Sequence, residues 1–159
     1  MVWASTRIKK VAASAFEPEA VETEDFVIQK PEGFLNVING DPKYAFEAYS
    51  REYGTDGAEE FRQGRLYVTV RENAAVEDVV AEVKAAASET VEDIGEVIGA
   101  NHYRLIDVKR SEKETELYVT YKIGERNGKV FTLEAVRLAE TSDEIVRKME
   151  VMVASFELK

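Results

Sequence analysis

Cysteine is absent from the 159-residue chain and histidine occurs once. Without cysteine there can be no disulfide, no thiolate nucleophile and no zinc site built on sulfur, so packing alone must hold the fold. The single histidine, His102, sits just before an apolar stretch rather than in a helical pair, which leaves a catalytic triad or a histidine zinc site short of most of its members. No glycine-rich phosphate cradle of the dinucleotide or P-loop type occurs, and no Gly-x-Ser-x-Gly elbow. No apolar run reaches membrane-spanning length. Positive charge is also scarce. With 21 Lys and Arg against 31 Asp and Glu the net charge is −10, which repels a phosphate backbone and excludes nucleic acid as an expected partner.

What is there is an ordinary globular composition, 45% hydrophobic and 33% charged, of a length that suits one domain. Residues 1–24 divide into a basic half and an acidic half with little periodicity and are expected to form an N-terminal arm, with the folded domain over 25–159. Ala13-Ser14-Ala15 before Phe16 has the spacing of a signal-peptidase cut without an apolar stretch ahead of it; a processing remnant and an alanine-rich tail both fit.

From Asp25 the pattern becomes extended. "DFVIQK" and "FLNVI", separated by "PEG", predict a hairpin of two short strands. "KYAFEAYSREY" alternates Tyr44, Phe46 and Ala48 against Ala45, Glu47 and Tyr49, and "RLYVTVRE" places Leu66, Val68 and Val70 on one face. Asn73 is the expected N-cap of a helix carrying Val76, Val79, Val80, Val83 and Ala87 at helical spacing. "SETVEDIGEVIGAN" then reads as a last helical turn fraying into loop.

Three strands follow, "HYRLIDVKR", "ETELYVTYKIG" and "GKVFTLEAVRLAE", the last two joined by Asn127-Gly128, the dipeptide that accepts positive φ at both centres of a type I′ turn. The third is expected to be a central rung with Phe131, Leu133 and Ala135 facing inward. "TSDE" predicts a capping box with Thr141 as cap, ahead of a helix striped by Ile145, Met149, Met152, Val153 and Phe156. This order of strands and helices predicts an α+β domain in which helices cover a mostly antiparallel sheet.

Carboxylates crowd at Glu89, Glu92, Asp93 and Glu96 and again at Glu112, Glu114 and Glu116. A hard cation needs several oxygens converging on one point, and Glu92, Asp93 and Glu96 are the candidate metal set if the helix extends that far; the alternative is a solvated charge run. Tyr44, Tyr49, Tyr53, Tyr67 and Tyr118 are candidates to face a ligand or simply to cover a sheet.

Several segments resemble, in order, the PsbP-like family of photosystem II extrinsic and lumenal proteins, together with related bacterial lipoproteins and a Ran-binding nuclear import factor. "FVIQKPEGF" is similar to the family's opening strand and Pro-x-Gly-Trp, with Phe34 where tryptophan is usual. "RLYVTVRENAAVEDV" resembles the strand entering the first helix, "NHYRL" the aromatic strand start, "NGKVFTLEAV" the Asn/Asp-Gly-Lys hairpin, and "MVASFEL" the closing helix. The resemblance implies an α/β/α sandwich with a central antiparallel sheet. It also implies a non-enzymatic accessory protein, peripheral to a membrane protein complex such as photosystem II, in the thylakoid lumen or another extracytoplasmic space, with calcium, manganese or chloride retained nearby in some members. In such proteins the N-terminal arm makes docking contacts, which here points to Trp3, Arg7, Lys9 and Lys10. Two alternatives stand beside this: a small-molecule carrier with a pocket between sheet and helix, and a protein-interaction module of the Ran-binding type. A carboxylate enzyme built on Glu92 and Asp93 ranks last, because nothing in the sequence fixes their partners.

Overall fold

The computed structural model describes residues 14–159. Its frame is a seven-stranded antiparallel sheet made of β3 (Phe34–Asn36), β4 (Tyr44–Ser50), β5 (Gly64–Glu72), β6 (Glu89–Ile98), β7 (Asn101–Glu112), β8 (Thr115–Arg126) and β9 (Lys129–Leu138), in the order β3-β4-β5-β9-β8-β7-β6. A three-stranded sheet, β1-β2-β10, joins β1 (Glu19–Glu22) and β10 (Glu157–Leu158) to β2 (Phe26–Lys30). Helix α1 (Val76–Ala86) lies on one face of the large sheet and α2 (Asp143–Ser155) on the other. This is the expected α/β/α sandwich.

Because both faces are covered, each central strand buries both sets of alternating side chains. Along β9, Phe131, Leu133 and Ala135 enter the core under α2, while Val130, Val136 and Leu138 enter the core on the α1 side. The first core is completed by Phe26, Phe34, Met149, Met152 and Phe156, and the second by Val79, Val80, Phe61 and Ile106. β9 is fourth of seven strands, the central rung that its pattern predicts. Asn127 (φ 53°) and Gly128 (φ 76°) make the tight turn that sets the β8–β9 register.

Several local expectations are corrected. β2 and β3 do not form a hairpin with each other: β2 pairs with β1 and β10, and β3 pairs with β4. The "PEG" turn therefore hands the chain from one sheet to the other. Buried Lys30 fixes this crossing, its Nζ donating to the main-chain oxygens of Phe34 at 2.6 Å and Glu17 at 2.5 Å. Residues 19–22, within the segment read as an arm, are a strand of the small sheet.

The stretch from Glu89 to Ile98 is strand, not a fraying helix followed by loop. Its side chains are mostly exposed, so it lacks the apolar alternation that marks a half-buried strand. Asn73 takes a positive φ of 54° in the turn ahead of α1, and the N-cap is Ala75. The cap of α2 is Ser142, whose Oγ accepts from Ile145 N at 3.3 Å. Thr141 instead closes the turn behind it, accepting from Leu138 N at 2.9 Å and donating to Gln63 O at 2.7 Å. A bulge between Tyr44 and Phe46 carries Tyr44 to the α1 side, where its ring lies 4.5 Å from that of Tyr67.

Candidate binding groove

Helix α2 packs on β2, β5 and β9 and does not cover the far half of the sheet face. Past the part covered at Lys122 and Tyr103, strands β8, β7 and β6 run on as an open shelf. Shelf and helix enclose a groove of about 600 Å³. Alternation decides which residues line it: Leu105 and Asp107 of β7, Tyr118 and Thr120 of β8 and Arg137 of β9 project to this side, facing Val146 and Val153 of α2. Leu105, Val146 and Val153 are half-buried, so the groove has an apolar lining that stays accessible.

Charges frame that lining. Arg137 lies over the Tyr118 ring, its guanidinium carbon 4.9 Å from the centroid, and Lys109 Nζ is 5.5 Å from the same centroid. Two cations on one aromatic ring orient it and make a positively edged wall. Lys109 is also held by Glu89 at 3.4 Å, and this hydrogen bond raises its pKa. Opposite in sign, Asp107 accepts a 2.5 Å hydrogen bond from Thr120 Oγ1. Such a surface suits an amphipathic segment or an elongated small molecule.

The predicted metal set is not brought together. Glu92 and Glu96 stand opposite Asp107 and Tyr103, on the groove side of β6, whereas Asp93 stands opposite Ile106 on the α1 side. A strand turns successive side chains to opposite faces, so neighbouring acids separate. Asp93 is moreover engaged by Arg104, at 2.7 Å and 3.1 Å, and by Lys84. These bonds, Arg104 first, lower its pKa to about 2. Among the described residues no group of three or more acids and histidines is placed to hold a metal ion. The predicted docking residues Trp3, Arg7, Lys9 and Lys10 lie outside the described residues.

His102 is exposed at the start of β7. Tyr44, Tyr49 and Tyr67 cluster on the α1 face, so they cover sheet rather than form a ligand wall. Burial and its neighbours Tyr67 and Glu47 push the Tyr49 hydroxyl upward in pKa. Exposed Tyr53 stacks with Arg62, 4.2 Å from centroid to guanidinium carbon. Of the candidate tyrosines only Tyr118 reaches the groove. Nothing in the local sequence singles out Leu105, Asp107, Thr120 or Arg137. Their one sequence signal is that β7 and β8 are patterned on both faces.

Neither a family model nor a curated protein matches the sequence. Solved structures do match in fold. Cyanobacterial PsbP (CyanoP) from Synechocystis sp. PCC 6803 aligns with 91% of this chain and 94% of its own at a TM-score of 0.62 and 12% identity. LpqN, involved in cell envelope biogenesis of Mycobacterium tuberculosis, aligns over 96% of both chains at 0.63 and 10% identity. A variant of the protein Mog1 aligns over 89% of this chain and 96% of its own at 0.58 and 9% identity. Likeness spanning nearly the whole of each chain, on the sheet order and helix placement described above, identifies the architecture: the chain has the PsbP-like fold.

Proposed function

We propose that this protein is a non-enzymatic accessory protein that binds a membrane protein complex from the lumenal or extracytoplasmic side, photosystem II being the instance the family resemblance implies. The observation that carries the reading is the open groove beside α2, an apolar lining with charged edges of both signs, which offers a partner segment a place to dock. The fold shared with CyanoP and LpqN is in keeping with it. Among the described residues no helix is long and apolar enough to cross a membrane, in keeping with peripheral association.

The test is capture of a complex from native membranes by the tagged chain and by Ala154→Trp, an exposed groove-lining position where a large ring fills the space without entering the core. The expected result is recovery of a large complex by the wild-type chain and at least a roughly tenfold loss with the filled groove, at unchanged melting temperature. Undiminished recovery by Ala154→Trp would remove the groove from the interaction.

A second reading, a small-molecule carrier, is favoured by the groove's volume, which lies in the range of ligand sites. Native mass spectrometry of the purified chain then shows an added mass that Ala154→Trp expels.

A further inference from the structure

Strand β6 ends the large sheet. Its ten residues pair with β7 on one side and, among the described residues, with nothing on the other. In an antiparallel pair alternate residues turn N–H and C=O away from the partner strand, so β6 presents a row of free main-chain donors and acceptors. The opposite edge is closed differently, β3 having three residues. Open edges are usually blunted by charged side chains, lysine above all, by proline, by bulges or by extreme shortness. β6 carries four acids and a bulge between Thr90 and Glu92, but its pairing is regular over Glu92–Ile98, it has no lysine and no proline, and Val91, Ile94 and Val97 are 58%, 46% and 61% exposed.

The charges on β6 say what can cover it. Glu89 is paired with Lys109, and Asp93 with Arg104 and Lys84. Glu92 and Glu96 form no ion pair among the described residues; they flank Ile94 on the groove side of the strand in the order acid, apolar, acid. A second copy of the chain fits poorly. Antiparallel pairing that sets Ile94 against its own copy places Glu92 opposite Glu96 twice, and an in-register parallel pairing also sets acid beside acid. Like charges directly opposite each other destabilise a strand pair.

We propose that the free edge of β6 is a β-augmentation site for an extended, basic segment of a partner protein, read by the pattern basic–x–aliphatic–x–basic. Main-chain pairing supplies the hydrogen bonds. An aliphatic side chain covers Ile94, and Lys or Arg at the flanking positions meet Glu92 and Glu96. Glu96 also borders the groove, so a strand added here widens the groove floor by one rung. The site stands on the strand edge and does not depend on the groove being occupied.

The probe is a fluorescent peptide, TKTVTKT with blocked ends, titrated into the full chain beside its acidic counterpart TETVTET. Expected is saturable binding of the basic peptide only, with slowed amide exchange confined to residues 89–98. Glu92→Lys with Glu96→Lys weakens that binding about tenfold or more and transfers preference to the acidic peptide, since two cross-strand charge pairs are reversed. Methylating the main-chain nitrogens of one set of alternate peptide residues abolishes binding, and methylating the other set leaves it intact. Ala154→Trp leaves the peptide affinity unchanged, so failure of the groove reading and failure of this one are told apart. Equal binding of the two peptides, protection elsewhere than β6, no binding at millimolar peptide, or dimerisation of the chain through β6 each overturns the proposal.

Discussion

Lys122, fully buried in the middle of β8, donates from Nζ to the main-chain oxygen of Phe156 at 2.7 Å. A second bond reaches Val153 O at 3.0 Å, and the ammonium lies 4.6 Å from the Tyr103 ring centroid. The cation thus sits on the carbonyl end of α2, where the helix dipole is negative and the last carbonyls have no partner within the helix. It pins the helix that forms one wall of the groove.

Lys122→Met removes both donors while keeping most of the volume. Leaving those carbonyls unmet costs about 2 kcal/mol at neutral pH, read by chemical denaturation. Burial lowers the pKa of Lys122 in the native state, so the unfolded chain holds the proton more tightly. Wild-type stability therefore gains from this group as pH rises through the window below 10.5, and the deficit of Lys122→Met grows over the same window. A deficit that shrinks there contradicts the burial.

Asp93 is shifted in the same direction for a different reason, its charged form being favoured by partners rather than penalised by burial. Its carboxyl is lowered to about 2 by Arg104 and Lys84, so it stabilises the native state at all pH above its ordinary value of 3.8 and loses that contribution as pH falls toward 2. Asp93→Asn is expected to cost about 1 kcal/mol at pH 7, after discounting for the partly exposed partners. The difference from wild type disappears in titrations carried below the native value. A cost independent of pH assigns the loss to packing instead.

Gly124 touches the ring of Tyr103. A Cβ built there stands 2.9 Å from Tyr103 Cδ1 and 3.0 Å from Leu158 Cδ1. Tyr103 has no room to retreat, because its hydroxyl accepts from Leu158 N at 2.9 Å and ties β7 to β10. Gly124→Ala should cost about 1–3 kcal/mol by overpacking. A two-dimensional NMR spectrum should place the largest shifts at Tyr103 and Leu158.

Ser142 and Thr141 separate two roles that the segment "TSDE" merges. Ser142→Ala removes the cap of α2 and lowers stability by about 1 kcal/mol. Thr141→Val breaks bonds to both Leu138 and Gln63 and is expected to cost more, since the residue is buried. Equal losses in the two variants, measured by urea titration, go against this division.

Much of the fold is legible in short-range pattern. The period-two runs in β4, β5, β8 and β9, the Asn127-Gly128 turn and the stripe from Ile145 to Phe156 each encode their element locally. Where structure and local pattern part, the local signal belongs to something else. The acids of β6 made a strand resemble a loop, because an edge strand buries too little to need apolar alternation. The groove was legible only as a class, a pocket between sheet and helix. Its residues were not, because Leu105, Asp107 and Arg137 meet only when three strands are set in register beside α2.

The amino-acid sequence by itself determined the α+β class, the antiparallel hairpins and the apolar faces of both helices, since each follows from side-chain spacing along a few turns or a few pleats. Tertiary structure alone decided that β2 and β3 part into different sheets, that Lys30 and Lys122 are buried, and that β6 is, among the described residues, the outermost strand. Those outcomes depend on which layer ends where, a property of how far α2 reaches across seven strands rather than of any one segment. A lysine reads as a surface residue until helix-end carbonyls arrive above it to accept its hydrogen bonds.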